Sequence, residues 1–190
     1  MRTVTYGAAS SLDGFIARKD HSVDWLKWSD DVAAISSRYL KSVDTVLMGR
    51  KTYDVAVRVG TASYPGLKTY VFSRTLEKLS DSAVQLCRDD VAKVVRKLKA
   101  QDGKGICVMG GGELAQSLIA DGVVDEIGLN VHPILLGAGV PFFRDPGRRV
   151  QLELTESRVL HGGCVLMSYR VAAPKPKARR SRRAVASTAA

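Results

Sequence analysis

Three short stretches of this chain join an apolar run to residues suited to binding an anion. Val108-Met109 empties into Gly110-Gly111-Gly112, followed by Glu113-Leu114. Thr45-Val46-Leu47-Met48 leads into Gly49-Arg50-Lys51-Thr52, and Thr69-Tyr70-Val71-Phe72 into Ser73-Arg74. Glycine lacks a Cβ, so the backbone there can approach a ligand closely. A helix opening at such a glycine turns its free N–H groups and positive dipole end toward an anion. Arginine adds a planar fork that takes phosphate in two bonds at once, and Thr52 adds a hydroxyl. Each stretch alone is equally an ordinary strand-to-helix turn or a solvated surface charge. All three at strand ends point to a dinucleotide carrying an extra phosphate. NADPH has that distribution, a pyrophosphate and a separate 2′-phosphate.

The rest of the pattern must position those ends. Val4 to Ala9 reads as a first strand, and Ser10 to Gly14 as a turn before Phe15-Ile16-Ala17. Trp25 to Lys41 carries Val32, Ile35, Tyr39 and Leu40 near helical spacing, with Ser29 or Asp30 as N-cap. Thr45 to Met48 and Thr69 to Phe72 read as strands, Tyr53 to Val59 as a helix, and Ala83 to Leu86 as a short strand. Asp89 or Asp90 caps a helix reaching about Lys99, with Val91, Val94, Val95 and Leu98 on one face. Ile106 to Met109 is a strand and Glu113 to Ala120 a helix. Glu126 to His132 is strand-like, and Pro133 to Arg144 a Gly/Pro-punctuated loop. Val150 to Leu160 and Val165 to Val171 form a hairpin around His161-Gly162-Gly163. Alternating strands and helices closed by an antiparallel pair predict an α/β fold: a three-layer α/β/α sandwich on a mixed, largely parallel sheet. In such sheets ligands sit beyond the carboxyl ends of the strands.

Composition sets the frame. The 190 residues suit one core. Forty-five per cent are apolar and 25% charged, a globular balance. No apolar run nears the roughly 20 residues of a membrane span, and Met1-Arg2-Thr3-Val4 enters a strand pattern without a signal-peptide core. Cys87, Cys107 and Cys164 are isolated, and two lie in apolar runs, so they read as free thiols rather than disulfides or metal ligands. A cytoplasmic location is expected. The net charge of +10 is uneven, with Lys175, Lys177, Arg179, Arg180, Arg182 and Arg183 inside an acid-free tail. Residues 172–190 are therefore expected to be a disordered basic tail, able to touch polyanions weakly but lacking aromatics for base stacking.

The ordered motifs resemble a known family. Ser11-Leu12-Asp13-Gly14-Phe15-Ile16-Ala17, Met48-Gly49-Arg50-Lys51-Thr52, Phe72-Ser73-Arg74, Val108 to Gly112 and His132-Pro133-Ile134-Leu135-Leu136-Gly137-Ala138-Gly139 are similar to the dihydrofolate-reductase-like superfamily. Within it the stand-alone relatives of the riboflavin-biosynthesis reductase domain match best, over about Val4 to Val171. The resemblance implies a domain at 1–171 that binds NADPH and passes hydride to a C=N or C=O bond of a small pterin- or pyrimidine-like substrate. It places Arg50 and Thr52 at the phosphates, with Gly49 and Lys51 beside them. Ser73 and Arg74 face the 2′-phosphate. Gly111, Gly112, Glu113 and Leu114 hold the pyrophosphate, and the backbone of Ala9 and Ile16 meets the nicotinamide. It further implies a cis bond between Gly110 and Gly111, a homodimer, and no metal.

The substrate side is thinner. Asp31 lies near the place of a carboxylate that assists pterin protonation, so it is the expected catalytic residue; capping of the helix is its other reading. Trp25 and Trp28 are expected to pack against the core. The Asp-Asp-Pro-x-Leu stretch of the full riboflavin enzyme is missing near Val55 to Gly60, which puts its ribosylamino-pyrimidine phosphate substrate in doubt. Two alternatives remain: dihydrofolate reductase proper, and a non-catalytic nucleotide-binding protein whose basic tail recruits a polyanion.

Overall fold

The computed structural model describes residues 1–172. The chain order is β1 Val4–Ser11, β2 Phe15–Ala17, α1 Asp30–Ser42, β3 Val43–Gly49, α2 Arg50–Arg58, β4 Lys68–Phe72, β5 Val84–Cys87 and α3 Val91–Lys99. It continues with β6 Gly105–Met109, α4 Gly112–Ala120, β7 Glu126–His132, β8 Val140–Pro141, β9 Leu152–Val159 and β10 Val165–Val171. A 3-10 turn over His161–Gly163 joins the last two strands. Eight strands form one sheet in the order β5-β4-β3-β6-β1-β7-β10-β9. The first six in that order run parallel, while β10 is antiparallel to both β7 and β9. The mixed, mostly parallel sheet and the closing hairpin are the architecture that the alternating pattern predicts.

Burial explains the choice of central strands. A parallel strand covered on both faces needs a nearly continuous apolar run, and Val46-Leu47-Met48 in β3 is completely buried. One face of the sheet packs Val4, Tyr6, Ile106 and Val108 against Val95 and Leu98 of α3 and Ala115 and Leu118 of α4. The opposite face packs Val46, Met48 and Val71 against Tyr53 and Ala56 of α2. Helix α3 begins where Asp90 accepts a hydrogen bond from the Lys93 N–H at 2.9 Å, a side-chain N-cap.

Several local expectations move. Helix α1 begins at Asp30 with Ser29 in the N-cap position, as expected, although the Ser29 hydroxyl donates to the Asp31 carboxylate and makes no capping bond to the backbone. Helix α2 begins at Arg50, three residues before the apolar periodicity becomes visible at Tyr53. Trp25 is buried as expected, but Trp28 is 69% exposed, because the turn ahead of α1 carries it clear of the core. The loop after β7 contains the two-residue strand β8, paired with β2. That pairing requires Gly139, since a Cβ there would stand 2.1 Å from the Ala17 carbonyl oxygen. Cys107 and Cys164 are buried free thiols, whereas Cys87 is half-buried. No helix among the described residues is long and apolar enough to cross a membrane. The basic tail lies outside the described residues.

Candidate active site

Parallel strands release their carboxyl ends on one side of the sheet, and β1, β3, β4 and β6 do so here around a cleft of about 1590 Å³. Two helices open on it. Helix α2 starts after Gly49 and α4 after Gly111, and neither has a side-chain cap. The first N–H groups of a helix have no partner within it, so both starts present unpaired donors. The two starts touch: a Cβ at Gly111 would meet Thr52 Oγ1 at 3.3 Å and the Gly49 nitrogen at 3.9 Å. The arrangement is an anion cradle made of backbone, and it depends on glycine at 111.

The glycine turn is built differently from the expectation. The Gly110–Gly111 peptide is trans. Positive φ at both residues, 67° and 85°, turns the chain from β6 into α4 without a cis bond. At Gly112 the constraint is steric, because a Cβ would lie 2.8 Å from the Pro141 carbonyl oxygen of β8.

Side chains complete the rim. Arg50 reaches from α2 toward the end of β4, where its Nη1 donates to Thr75 Oγ1 at 3.3 Å, and its Nε lies 3.7 Å from Asp54. Glu113 sits between Lys51 at 3.7 Å and Arg144 at 3.2 Å. Its charge suits the α4 N-terminus and ties the two helix starts together. Ser73 Oγ accepts from the backbone N–H groups of Thr75 and Leu76, which fixes the turn bearing Arg74. Arg74 makes no ion pair among the described residues, so its guanidinium is available to a ligand on the cleft wall.

The structure thus brings every expected cofactor residue to one cleft: Ala9 and Ile16, the Gly49 to Thr52 turn, Ser73 and Arg74, and Gly110 to Leu114. Asp31 is not among its lining residues. The Asp31 carboxylate accepts from the Ser29 hydroxyl, from the Val32 N–H at 2.9 Å and from the His161 N–H at 2.8 Å. Those bonds, led by the Ser29 hydroxyl, hold its pKa down at about 2. The carboxylate anchors the β9–β10 turn to the start of α1.

The far end of the cleft comes from strands whose contribution the sequence does not announce. Gly7 and Ala9 of β1 pair with Gly128 and Asn130 of β7. These pair in turn with Ser168 and Leu166 of β10, and those with Glu156 and Arg158 of β9. Two rows of residues therefore run outward from β1, and all of them line the cleft. Gly128 has a negative φ and nothing within 4 Å of where a Cβ would project, so no contact within the fold demands glycine there. A glycine inside a strand marks a place where something approaches closely, and this is the signal that could have identified the surface. Cys107, also on this face, is no nucleophile at neutral pH, because burial pushes its thiol up to about 11.

A mostly parallel sheet between helices, with two glycine-led helix starts at its carboxyl edge, has the dihydrofolate-reductase-like fold. The chain belongs to the RibD C-terminal domain family, whose model matches residues 2–166. It is 33% identical over 180 residues to protein YyaP of Bacillus subtilis (strain 168), itself uncharacterized, covering 88% of this chain and 94% of that one. A crystal structure of a riboflavin biosynthesis protein candidate from Shewanella sp. PV-4 matches with a TM-score of 0.78 and 25% identity, covering 90% of this chain and 99% of that one. Dihydrofolate reductase from Enterococcus faecalis, complexed with NADP(H), shares the fold with a TM-score of 0.63 and 18% identity, over 89% and 96% of the two chains. Family and fold together support an oxidoreductase.

Proposed function

We propose that this protein is an NADPH-dependent reductase acting on a C=N or C=O bond of a small heterocycle. The observation that carries the reading is the pair of uncapped, glycine-led helix starts in contact at the cleft floor. Convergent N–H donors with Arg50 and Lys51 suit a pyrophosphate, and the free guanidinium of Arg74 at the end of β4 suits the 2′-phosphate. When bound, NADPH supplies the hydride; the protein supplies alignment and electrostatics. Ala9 and Ile16 border the nicotinamide end, and Gly7, Gly128 and Asn130 form the floor beyond it. The half-buried apolar side chains of Ile35 and Leu166 line the same end and exclude water from the reacting bond.

Asp31 is not assigned the proton-assisting role, since its oxygens are engaged by Ser29, Val32 and His161 away from the cleft. That argues against dihydrofolate as the natural substrate. A homodimer forms, in this reading, through the β9 edge, where Leu154 and Val159 are exposed.

Calorimetry with NADPH and NADH tests the reading. Wild-type protein binds NADPH in preference to NADH. Arg74→Ala weakens NADPH by about 10- to 100-fold, the worth of a charged hydrogen-bonded contact, and leaves NADH unchanged. Equal losses for both coenzymes, or no binding of either by folded protein, refute it. NADPH oxidation with dihydrofolate against the riboflavin-pathway pyrimidine then separates the substrate classes.

A further inference from the structure

His132, at the end of β7, is 1% exposed and does not line the cleft. Its hydrogen bonds nevertheless determine what the cleft offers. The Lys27 backbone nitrogen lies 3.3 Å from Nδ1, and Cys164 Sγ lies 3.5 Å from the same nitrogen. A backbone N–H can only donate. Burial keeps the Cys164 thiol protonated, so it is able to donate to the same nitrogen. Nδ1 is therefore the acceptor. Burial also favours the uncharged ring, which puts the one ring proton on Nε2.

Nε2 lies 3.3 Å from Nδ2 of Asn130, and the two arms of an amide exchange by a flip of its plane. Because Nε2 donates, Asn130 must turn its amide oxygen to it. The amide NH2 then takes the other arm, which is buried and has no partner among the described residues. A buried polar group without a partner costs free energy until something supplies one. Asn130 lies in the cleft wall, paired with Ala9 at the expected nicotinamide end and two residues from the open face of Gly128.

We propose that Asn130 reads the substrate, with His132 as its positioning residue. The amide NH2 selects a flat heterocycle whose edge carries a ring carbonyl oxygen and whose face lies on Gly128. This deepens the reductase reading and rests on it for the location of the substrate.

Three measurements on the full chain test the proposal. Nitrogen-15 NMR of wild-type protein shows Nδ1 of His132 unprotonated and Nε2 protonated at neutral pH; the opposite tautomer or a charged ring overturns the positioning role. With NADPH present, uracil shifts the Asn130 amide resonances and binds more tightly than 2,4-diaminopyrimidine. In Asn130→Asp the carboxylate still accepts from Nε2 but offers an oxygen to the cleft, so the preference falls about tenfold or reverses. Gly128→Val abolishes uracil binding. An undisturbed Asn130 amide, or the same preference in Asn130→Asp as in wild type, overturns the proposal while NADPH binding leaves the cofactor reading standing. Failure of wild-type protein to bind NADPH strikes the cofactor reading instead, and the tautomer still decides the His132–Asn130 arrangement.

Discussion

Replacing Gly111 by alanine probes the cradle with a single methyl group. Gly111 has φ of 85°, where an L side chain is strained, at a cost of roughly 1–3 kcal/mol. For a domain of this size each kcal/mol lowers Tm by about 2–4 °C, so a drop of about 2–12 °C is expected. The new Cβ would also stand 3.3 Å from Thr52 Oγ1 and 3.9 Å from the Gly49 nitrogen. It would occupy the junction of the two helix starts, where an anion must approach the N–H groups. Losing one charge-assisted contact costs about 1.5–3 kcal/mol, or roughly 10- to 150-fold in Kd. Gly60 provides the matched control, with φ of 74° and nothing within 4 Å of its Cβ position. Gly60→Ala carries similar backbone strain outside the cleft. Thermal melts and NADPH calorimetry on both variants separate strain from occlusion. The expected result is a comparable loss of Tm in the two, with weakened NADPH binding only in Gly111→Ala. If Gly111→Ala binds NADPH as tightly as Gly60→Ala does, the helix starts do not form the phosphate site.

Gly139→Ala should unfold the β2–β8 pairing, because the 2.1 Å approach to the Ala17 carbonyl leaves no room for a methyl group; a Tm within 2 °C of wild type, taking the tolerance as roughly one kcal/mol, would contradict that. Gly112→Ala, with its Cβ 2.8 Å from the Pro141 oxygen, should destabilise less and retain the fold by circular dichroism. Asp31 makes stability acid-sensitive. Its carboxyl is lowered from 3.8 to about 2 in the fold, so its contribution is present above the ordinary value and is lost as pH falls toward 2. Urea midpoints measured from pH 5 to 2 should fall less steeply in Asp31→Asn, which should already be less stable at pH 5. Parallel curves for the two proteins would show that Ser29 and His161 do not hold the carboxylate.

The two glycine-led helix starts at the cleft were legible because their chemistry is local. Gly49-Arg50-Lys51-Thr52 and Gly110-Gly111-Gly112 each carry an apolar strand, a turn and a helix start within about ten residues, so the sequence itself puts the donors at the strand ends. The order of elements was legible for the same reason, down to the short β5, except for β8, which lies in the stretch from Pro133 to Arg144 that reads as a loop. The starts of α1 and α2 were legible from Ser29 and Gly49 ahead of them, but the apolar period alone shows α2 only from Tyr53, and the bond of the Ser29 hydroxyl to Asp31 was not legible. The Gly110–Gly111 geometry was misjudged because two successive positive φ angles reach the same turn with a trans peptide.

The far end of the cleft is non-local, and that is why it was illegible. Gly128, Asn130, Ser168, Leu166, Glu156 and Arg158 each read as ordinary strand residues. They become one surface only through the sheet order β1-β7-β10-β9 and its register. Asp31 failed as a candidate for the same reason: proximity to the start of α1 could be read from the sequence, but the His161 N–H, 130 residues away, could not. A carboxylate at the right helix is a proton-assisting group only if its oxygens are free to face the ring. Here the β9–β10 turn claims them, while Asn130 of β7 lies in the cleft wall. In the proposed reading, the fold keeps the helix starts that short motifs encode and meets the substrate with a different polar group, supplied by the register of β7 against β1.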